Sequence, residues 1–139
     1  SPKFVYDRNQ IMAILNQESS LMEIVKLIGS DVLPDDQKLT LEIARVIRLG
    51  FLQQNAFHQE DTSVPMEKQF LMMETILYLY EKCRALVNRG MPVSVLKEDK
   101  IFERIIAIKY EVPNKEPERF DEYHKDIDRF YDNVLERNG

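Results

Sequence analysis

The stretch from residue 39 to residue 57 reads LTLEIARVIRLGFLQQNAF. In its first half, apolar residues recur every three or four positions, the spacing at which side chains share one face of an α-helix. These residues are Leu39, Ile43, Val46 and Ile47. The second half carries glutamines, an asparagine and phenylalanines where connecting segments usually carry Gly, Pro and Ser. The stretch therefore predicts an amphipathic helix to about Gln53, followed by a segment that is either a frayed helix end or a binding element.

Helical periodicity continues on both sides of this stretch. Further helices are predicted from about Arg8 to Ile28, from Ser63–Pro65 up to Gly90, from roughly Lys97 to Tyr110, and from Pro117 through Leu135. The helix after Pro65 has an expected packing face of Met66, Phe70, Met73, Leu77 and Tyr80, at intervals of four and three. Pro34, Asp35 and Asp36 suit the first turn of the helix that contains Leu39. The predicted fold class is all-α: one domain over residues 1–139, a bundle of about five helices joined by short loops.

Composition excludes several classes of partner. The net charge of -5 leaves no basic stripe for nucleic acid and no cationic face for a membrane surface. No apolar run approaches the ~20 residues of a membrane-spanning helix. One cysteine and two histidines, His58 and His124, are too few for a disulfide or for most metal centres. We therefore expect no nucleic-acid partner, no membrane insertion and no metal site.

Residues that would indicate catalysis are missing as well. The sequence contains no GxxxxGK[ST] phosphate loop and no GxGxxG, HExxH or GxSxG motif. The adjacent carboxylates at 35–36 and 60–61 are expected to be solvated rather than catalytic. Cys83 lies beside Leu79 and Leu86 in helical register and is expected to be a buried small hydrophobe. Taken alone, these residues predict a free-standing helical interaction module without an active site.

A longer block resembles a known family. The run from Leu27 to Thr62, LIGSDVLPDDQKLTLEIARVIRLGFLQQNAFHQEDT, is similar to the C-terminal domain of the catalytic A subunit of archaeal and vacuolar-type rotary ATPases. That family carries, in this order, a helix, an acidic loop after a Gly, an LTLE-A--IR helix and a QQNAF signature. The flanking runs NQESSLMEIVKLIG and MEKQFLMMETILYLYE resemble its neighbouring helices. The resemblance covers essentially the whole chain and is loosest over the last forty residues.

The resemblance implies a larger parent protein. In that protein a β-barrel domain and a phosphate-loop domain would precede this chain, so ATP or ADP with Mg²⁺ would bind in the parent. The fragment itself would have no cofactor, no catalytic residue and no activity alone. Implied partners are the central stalk and the B subunit, in the cytoplasmic, peripheral sector of a membrane-bound complex. The start SPKF, without an initiator Met or a signal-like apolar core, leads us to expect a cut fragment.

The acidic loop has an implied role in contact with the rotor. It falls where the related F-type beta subunit carries its DELSEED segment, which acts on the central stalk. The expected contact residues are Ser30, Asp31, Val32, Leu33, Pro34, Asp35, Asp36 and Gln37. The loop has fewer acids and has Pro34 in place of Ser, so contact through Val32 and Leu33 is expected rather than a purely electrostatic one. An ordinary connector whose acids favour a helix N-terminus is the alternative.

The QNAF turn has an implied role in binding adenine. In the family its aromatic residue forms one wall of the purine pocket, which carries over to Phe57, with Ala56, Asn55 and Gln54 as lesser candidates. An aromatic ring stacked on a purine contributes ~1–3 kcal/mol by analogy with base–aromatic stacking. From the residues alone, Phe57 is instead a helix-end side chain folded onto the core, while Phe51 belongs to the core in either case.

Overall fold

The computed structural model describes residues 2–52 and 65–138. Within these ranges the chain forms helices and no strand. The longer helices are α1 (Pro2–Ile28), α2 (Asp35–Ile47), α3 (Met66–Asn88) and α7 (Phe120–Asn138). The shorter helices are α4 (Val93–Leu96), α5 (Ile101–Ile106) and α6 (Ile108–Glu111). Single 3-10 turns occupy Ser30–Val32, Lys97–Asp99 and Pro117–Arg119, and a π-helix, Arg48–Leu52, continues α2. The predicted all-α bundle is confirmed.

The central helix of the bundle is α3, which packs against α1, α2 and α7. One row of its buried apolar side chains follows intervals of four and three, which keeps them on one face of the helix. They are Met72, Ile76, Leu79, Cys83 and Leu86. Each large apolar side chain removed from water in this way contributes about 1.5–3 kcal/mol. The expectation that Cys83 is buried is confirmed.

The packing face predicted for α3 is wrong by one position. Met66 is 64% exposed, and of the predicted stripe only Met73 is fully buried. The stripe forms the flank of the helix, where the Phe70 ring stacks on Phe4 of α1 with centroids 6.3 Å apart. A helix with neighbours on several sides has two adjacent apolar stripes, and spacing alone does not identify the deeper one.

The pair α1 and α2 forms a helical hairpin. α1 begins at Pro2, earlier than the predicted Arg8, because proline is well tolerated in the first turn of a helix. The connector from 29 to 34 is short, and the two helices pack against each other. The four apolar residues predicted on α2, Leu39, Ile43, Val46 and Ile47, are all completely buried. α2 is therefore fixed to the bundle along its whole length.

The helix predicted over 97–110 is interrupted. Lys100 adopts a left-handed conformation (φ 60°) between a 3-10 turn and α5. A second break at Ala107 separates α5 from α6. It follows directly after Ile106, whose Cα would lie 3.2 Å from a Cβ added to Gly50. The apolar spacing of this segment fits a continuous helix and therefore did not predict the two breaks. Spacing carries no information about the backbone that packs against the segment.

Candidate functional site

The connector between α1 and α2 holds a defined turn. Gly29 has a φ of +86°, which glycine adopts without the strain of a side chain. Its backbone N–H donates to the carbonyl of Val25 at 2.8 Å, and the N–H of Leu33 donates to the carbonyl of Ser30 at 3.1 Å. These bonds satisfy carbonyls that a helix end would otherwise leave to solvent. The connector at the end of the hairpin is thus an ordered turn held by backbone hydrogen bonds.

The structure divides the predicted rotor-contact residues into two groups. Leu33 is only 6% exposed, and Asp35 Oδ1 accepts a hydrogen bond at 2.9 Å from the N–H of Val93, the first residue of α4. Both side chains anchor the connector to the bundle. The side chains of Ser30, Asp31, Val32, Pro34 and Asp36 are exposed, and Gln37 is half-buried. The Leu33 side chain faces inward, whereas Val32 is 59% exposed, so Val32 is the more accessible of the two and contact through either residue stays a prediction.

An apolar surface lies next to Val32 and was missed in the sequence. Ile24, Leu27 and Ile28 are 40%, 84% and 62% exposed, respectively. They occupy positions i, i+3 and i+4 at the end of α1 and so share one helix face. We call Ile24, Leu27, Ile28 and Val32 the apolar tip. A signal was present in the sequence, since two apolar residues, Leu27 and Ile28, stand directly before the Gly29 stop.

Charged side chains along α2 are paired, within the helix and with neighbouring helices. Arg48 forms an ion pair with Glu18 of α1, and Arg45 bridges Glu42 at 2.8 Å and Glu103 of α5 at 2.6 Å. Partial burial raises the pKa of Glu103, but the hydrogen bond and charge of Arg45, together with a backbone hydrogen bond and Lys100, lower the pKa below its ordinary value. The pairs with Glu18 and Glu103 join α2 to α1 and α5. A cavity of about 520 Å³ beside α2 has a lining of mixed charge that includes Glu18, Glu42, Arg45 and Arg48. The lining of this cavity is therefore neither acidic nor basic as a whole.

The residues predicted to bind adenine, Gln54 to Phe57, lie outside the described ranges. The structure does describe the segment that leads to them, the π-helix Arg48–Leu52 at the exit of α2. Lys109 of α6, only 8% exposed, donates a hydrogen bond from Nζ to the carbonyl oxygen of Leu49. Together with the Arg48 ion pair and the close approach of Gly50 to Ile106, this bond holds the exit from several sides.

A buried carboxylate lies between α1 and α3. Asp7 is completely buried, and its Oδ1 lies 3.1 Å from Nζ of Lys3, which in turn lies 3.4 Å from Glu74 Oε2. Burial and the nearby Asp7 carboxylate raise the pKa of Glu74, and Lys3 opposes this only in part. This cluster makes the α1–α3 contact sensitive to protonation.

The described parts of the chain hold neither a grouped set of metal ligands nor a membrane span. In residues 2–52 and 65–138, no three His, Cys, Asp or Glu side chains are placed together as metal ligands. Over the same ranges, no helix has the length and apolar character needed to cross a bilayer.

Comparisons with known proteins converge on one family. The family model described as the C-terminal domain of V and A type ATP synthase matches residues 1–95. The V-type ATP synthase alpha chain 2 of Clostridium tetani is 44% identical over 94% of this chain and 22% of its own length. The V-type ATP synthase alpha chain of Halothermothrix orenii and the A subunit of the A-type ATP synthase of Methanopyrus kandleri are each 43% identical, over 93% of this chain.

These relatives are much longer than the present sequence, which spans about a fifth (22%) of the length of each. The resemblance inferred from the Leu27–Thr62 block is confirmed by the family match, which contains that block and both flanking helices. The chain therefore belongs to the family of C-terminal domains of V- and A-type ATP synthases.

Proposed function

We propose that this chain is the C-terminal domain of the catalytic A subunit of a rotary, ion-translocating ATP synthase. In this proposal the domain forms one wall of the adenine pocket and transmits closure of the nucleotide site to the central rotor stalk. ATP with Mg²⁺ binds in other parts of the parent protein, which hold the catalytic groups except one arginine of the neighbouring B subunit, in the peripheral, cytoplasmic sector. This sequence matches only 22% of the length of its relatives, which favours a domain of a larger protein over a free-standing interaction module.

The observation that carries the rotor role is the exposed apolar tip on an anchored hairpin. α1 is 27 residues long and therefore extends about 40 Å. Since α2 is buried along its apolar face, a rotation of the domain moves the hairpin end with it as one body. Exposed apolar side chains grouped on one surface typically mark a contact with another protein. The tip thus combines a rigid support with a surface suited to a partner.

The chemistry of the tip favours steric and apolar contact with the stalk. The most exposed side chains, Leu27 and Ile28, are uncharged, as is Val32. Asp31 and Asp36 are exposed nearby and contribute a local negative field, which steers an approaching partner more than it adds affinity. We therefore assign contact to the apolar tip, and orientation to the exposed acids of the connector.

Site-directed cross-linking tests the rotor role in the assembled complex. A cysteine at Val32 should cross-link to the central stalk, whereas a cysteine at Leu33 is the matched control, since that adjacent side chain is buried. The native Cys83 is completely buried, and burial raises the pKa of its thiol, so it adds little background within this chain. Failure to cross-link at every exposed position from Ser30 to Gln37 and at Leu27 would contradict the rotor role.

The adenine role rests on Phe57 and the three residues before it. Phe57→Ala in the intact parent protein should weaken ATP binding by about 10- to 100-fold, as expected for loss of one stacked ring. Binding of inorganic tripolyphosphate, which lacks a base, should not change. Phe130→Leu is the control, because Phe130 is buried on α7 and should affect stability only. Calorimetry that finds ATP affinity unchanged in Phe57→Ala would remove Phe57 from the pocket.

A further inference from the structure

The exit of α2 is a π-helix, Arg48–Leu52, where a regular helix would otherwise continue. A π-helix pairs residues five apart, so it accommodates one extra residue per turn and rotates everything that follows relative to an α-helix. Such turns occur frequently at functional sites. The first residue predicted to bind adenine, Gln54, follows Leu52 by only two positions in the sequence.

Lys109 is bonded to this π-helix from a distant part of the chain. It lies 60 positions after Leu49, whose carbonyl oxygen accepts a hydrogen bond from Nζ. Only 8% of Lys109 is exposed, and within the described ranges its ammonium contacts are neutral: this carbonyl and the face of the Tyr110 ring, 4.8 Å from the centroid. Burying an ammonium is unfavourable unless its hydrogen bonds are made. An apolar side chain of similar length would fill the same buried space without the desolvation cost of an ammonium. The hydrogen bond from Nζ is therefore what distinguishes lysine from an apolar residue at this position.

The backbone around Leu49 is restricted on its other side too. A Cβ on Gly50 would lie 3.1 Å from Met72 Cε and 3.2 Å from Ile106 Cα, so α5 contacts the π-helix almost directly. Arg48 is held by its ion pair with Glu18 of α1. Lys109, Gly50 and Arg48 thus fix three consecutive residues, 48 to 50, against α6, α5 and α1.

We propose that Lys109 is a positioning residue for the adenine-binding segment: by holding the Leu49 carbonyl in the π-helix, it sets the direction in which the chain leaves α2. The inference rests on the proposed adenine role of Gln54 to Phe57. Lys109 does not contact the nucleotide in this scheme. It acts through the backbone of the exit, and its loss should therefore affect recognition of the base and leave recognition of the phosphates unchanged.

The test uses the intact parent protein with two ligands, ATP and inorganic tripolyphosphate. Lys109→Met keeps the length of the apolar stem and removes the donor, whereas Lys109→Arg keeps a cationic donor. For Lys109→Met, the ratio of the dissociation constants of ATP and tripolyphosphate should rise about tenfold. Lys109→Arg should restore most of the native ratio. Lys125→Met, at an exposed lysine of α7, is the matched control and should leave the ratio unchanged.

This ratio separates positioning from a merely structural role, which would lower the melting temperature without changing selectivity for the base. If Lys109→Met does not give a folded protein, Lys109→Leu, which also removes the donor, and Gly50→Ala perturb the same exit and carry the test. A native ratio in the folded variants overturns the inference. When Phe57→Ala changes the ratio and Lys109→Met does not, only the positioning role fails. When Phe57→Ala leaves the ratio native, the proposed adenine role itself fails.

Discussion

Replacing Leu27 and Ile28 together by serine should weaken binding of the central stalk without unfolding the domain. These side chains are 84% and 62% exposed. Full burial of a Leu or Ile side chain contributes about 1.5–3 kcal/mol, so burial of the exposed fractions against a partner would contribute about 2–4 kcal/mol. A loss of that size corresponds to an affinity lower by about 30- to 1,000-fold. The stability of the chain itself should change by no more than about 0.5 kcal/mol, as for most surface substitutions.

The assay is equilibrium binding of the purified central stalk to assembled complexes of the A and B subunits that carry the double variant. Glu23→Ser with Lys26→Ser is the matched control, since both residues are exposed on the same two turns of α1 and their charges cancel. Urea denaturation of the 139-residue chain measures the effect on folding separately. Affinity within about twofold of that control would refute the assignment of the apolar tip as a contact surface.

Three further outcomes follow from the interior of the domain. Gly50→Ala should destabilise the chain by up to about 2 kcal/mol, measured by urea denaturation. Overpacking against Ile106 costs about 1–3 kcal/mol, and the higher helix propensity of alanine offsets about 1 kcal/mol of that cost. Stability equal to that of the native chain would mean that Gly50 and Ile106 are not in tight contact. A raised pKa lets Glu74 keep a proton in the folded state that the unfolded chain releases, so stability should fall as the pH rises above the ordinary value of 4.5. Glu74→Gln should flatten that fall in urea titrations at a series of pH values, and a variant with the native slope would contradict the assignment. Cys83 should react with a thiol reagent only after unfolding, roughly a thousandfold more slowly in the native state if global opening is required; rapid native reaction would show local opening of α3.

Local periodicity correctly predicted the buried residues of a helix that packs through a single face. The residues Leu39, Ile43, Val46 and Ile47 were predicted as the packed face of α2, and all four are fully buried. It failed where burial depends on several neighbours, as for Met66 on α3, which is 64% exposed.

The features that surround the candidate site are non-local, which is why the sequence did not predict them. The bond from Lys109 to Leu49 joins positions 60 apart, and the break at Ala107 lies beside Gly50, 57 positions earlier. Spacing within a single helix contains no information about such contacts. The role of Phe57 remains a prediction from resemblance, because that residue lies outside the described ranges.

The two proposed surfaces lie at opposite ends of α2. The connector with Val32 precedes its N-terminus, and the π-helix that leads to Gln54 follows its C-terminus, about 20 Å away for a 13-residue helix. Because the apolar face of α2 is completely buried and Arg45 bonds it to α5, sliding of α2 alone would break packing at every turn. A nucleotide that draws the exit towards itself would therefore rotate the whole bundle, and α1 would carry the apolar tip with it. Rigid-body rotation, rather than movement of a single helix, is the transmission that this packing permits.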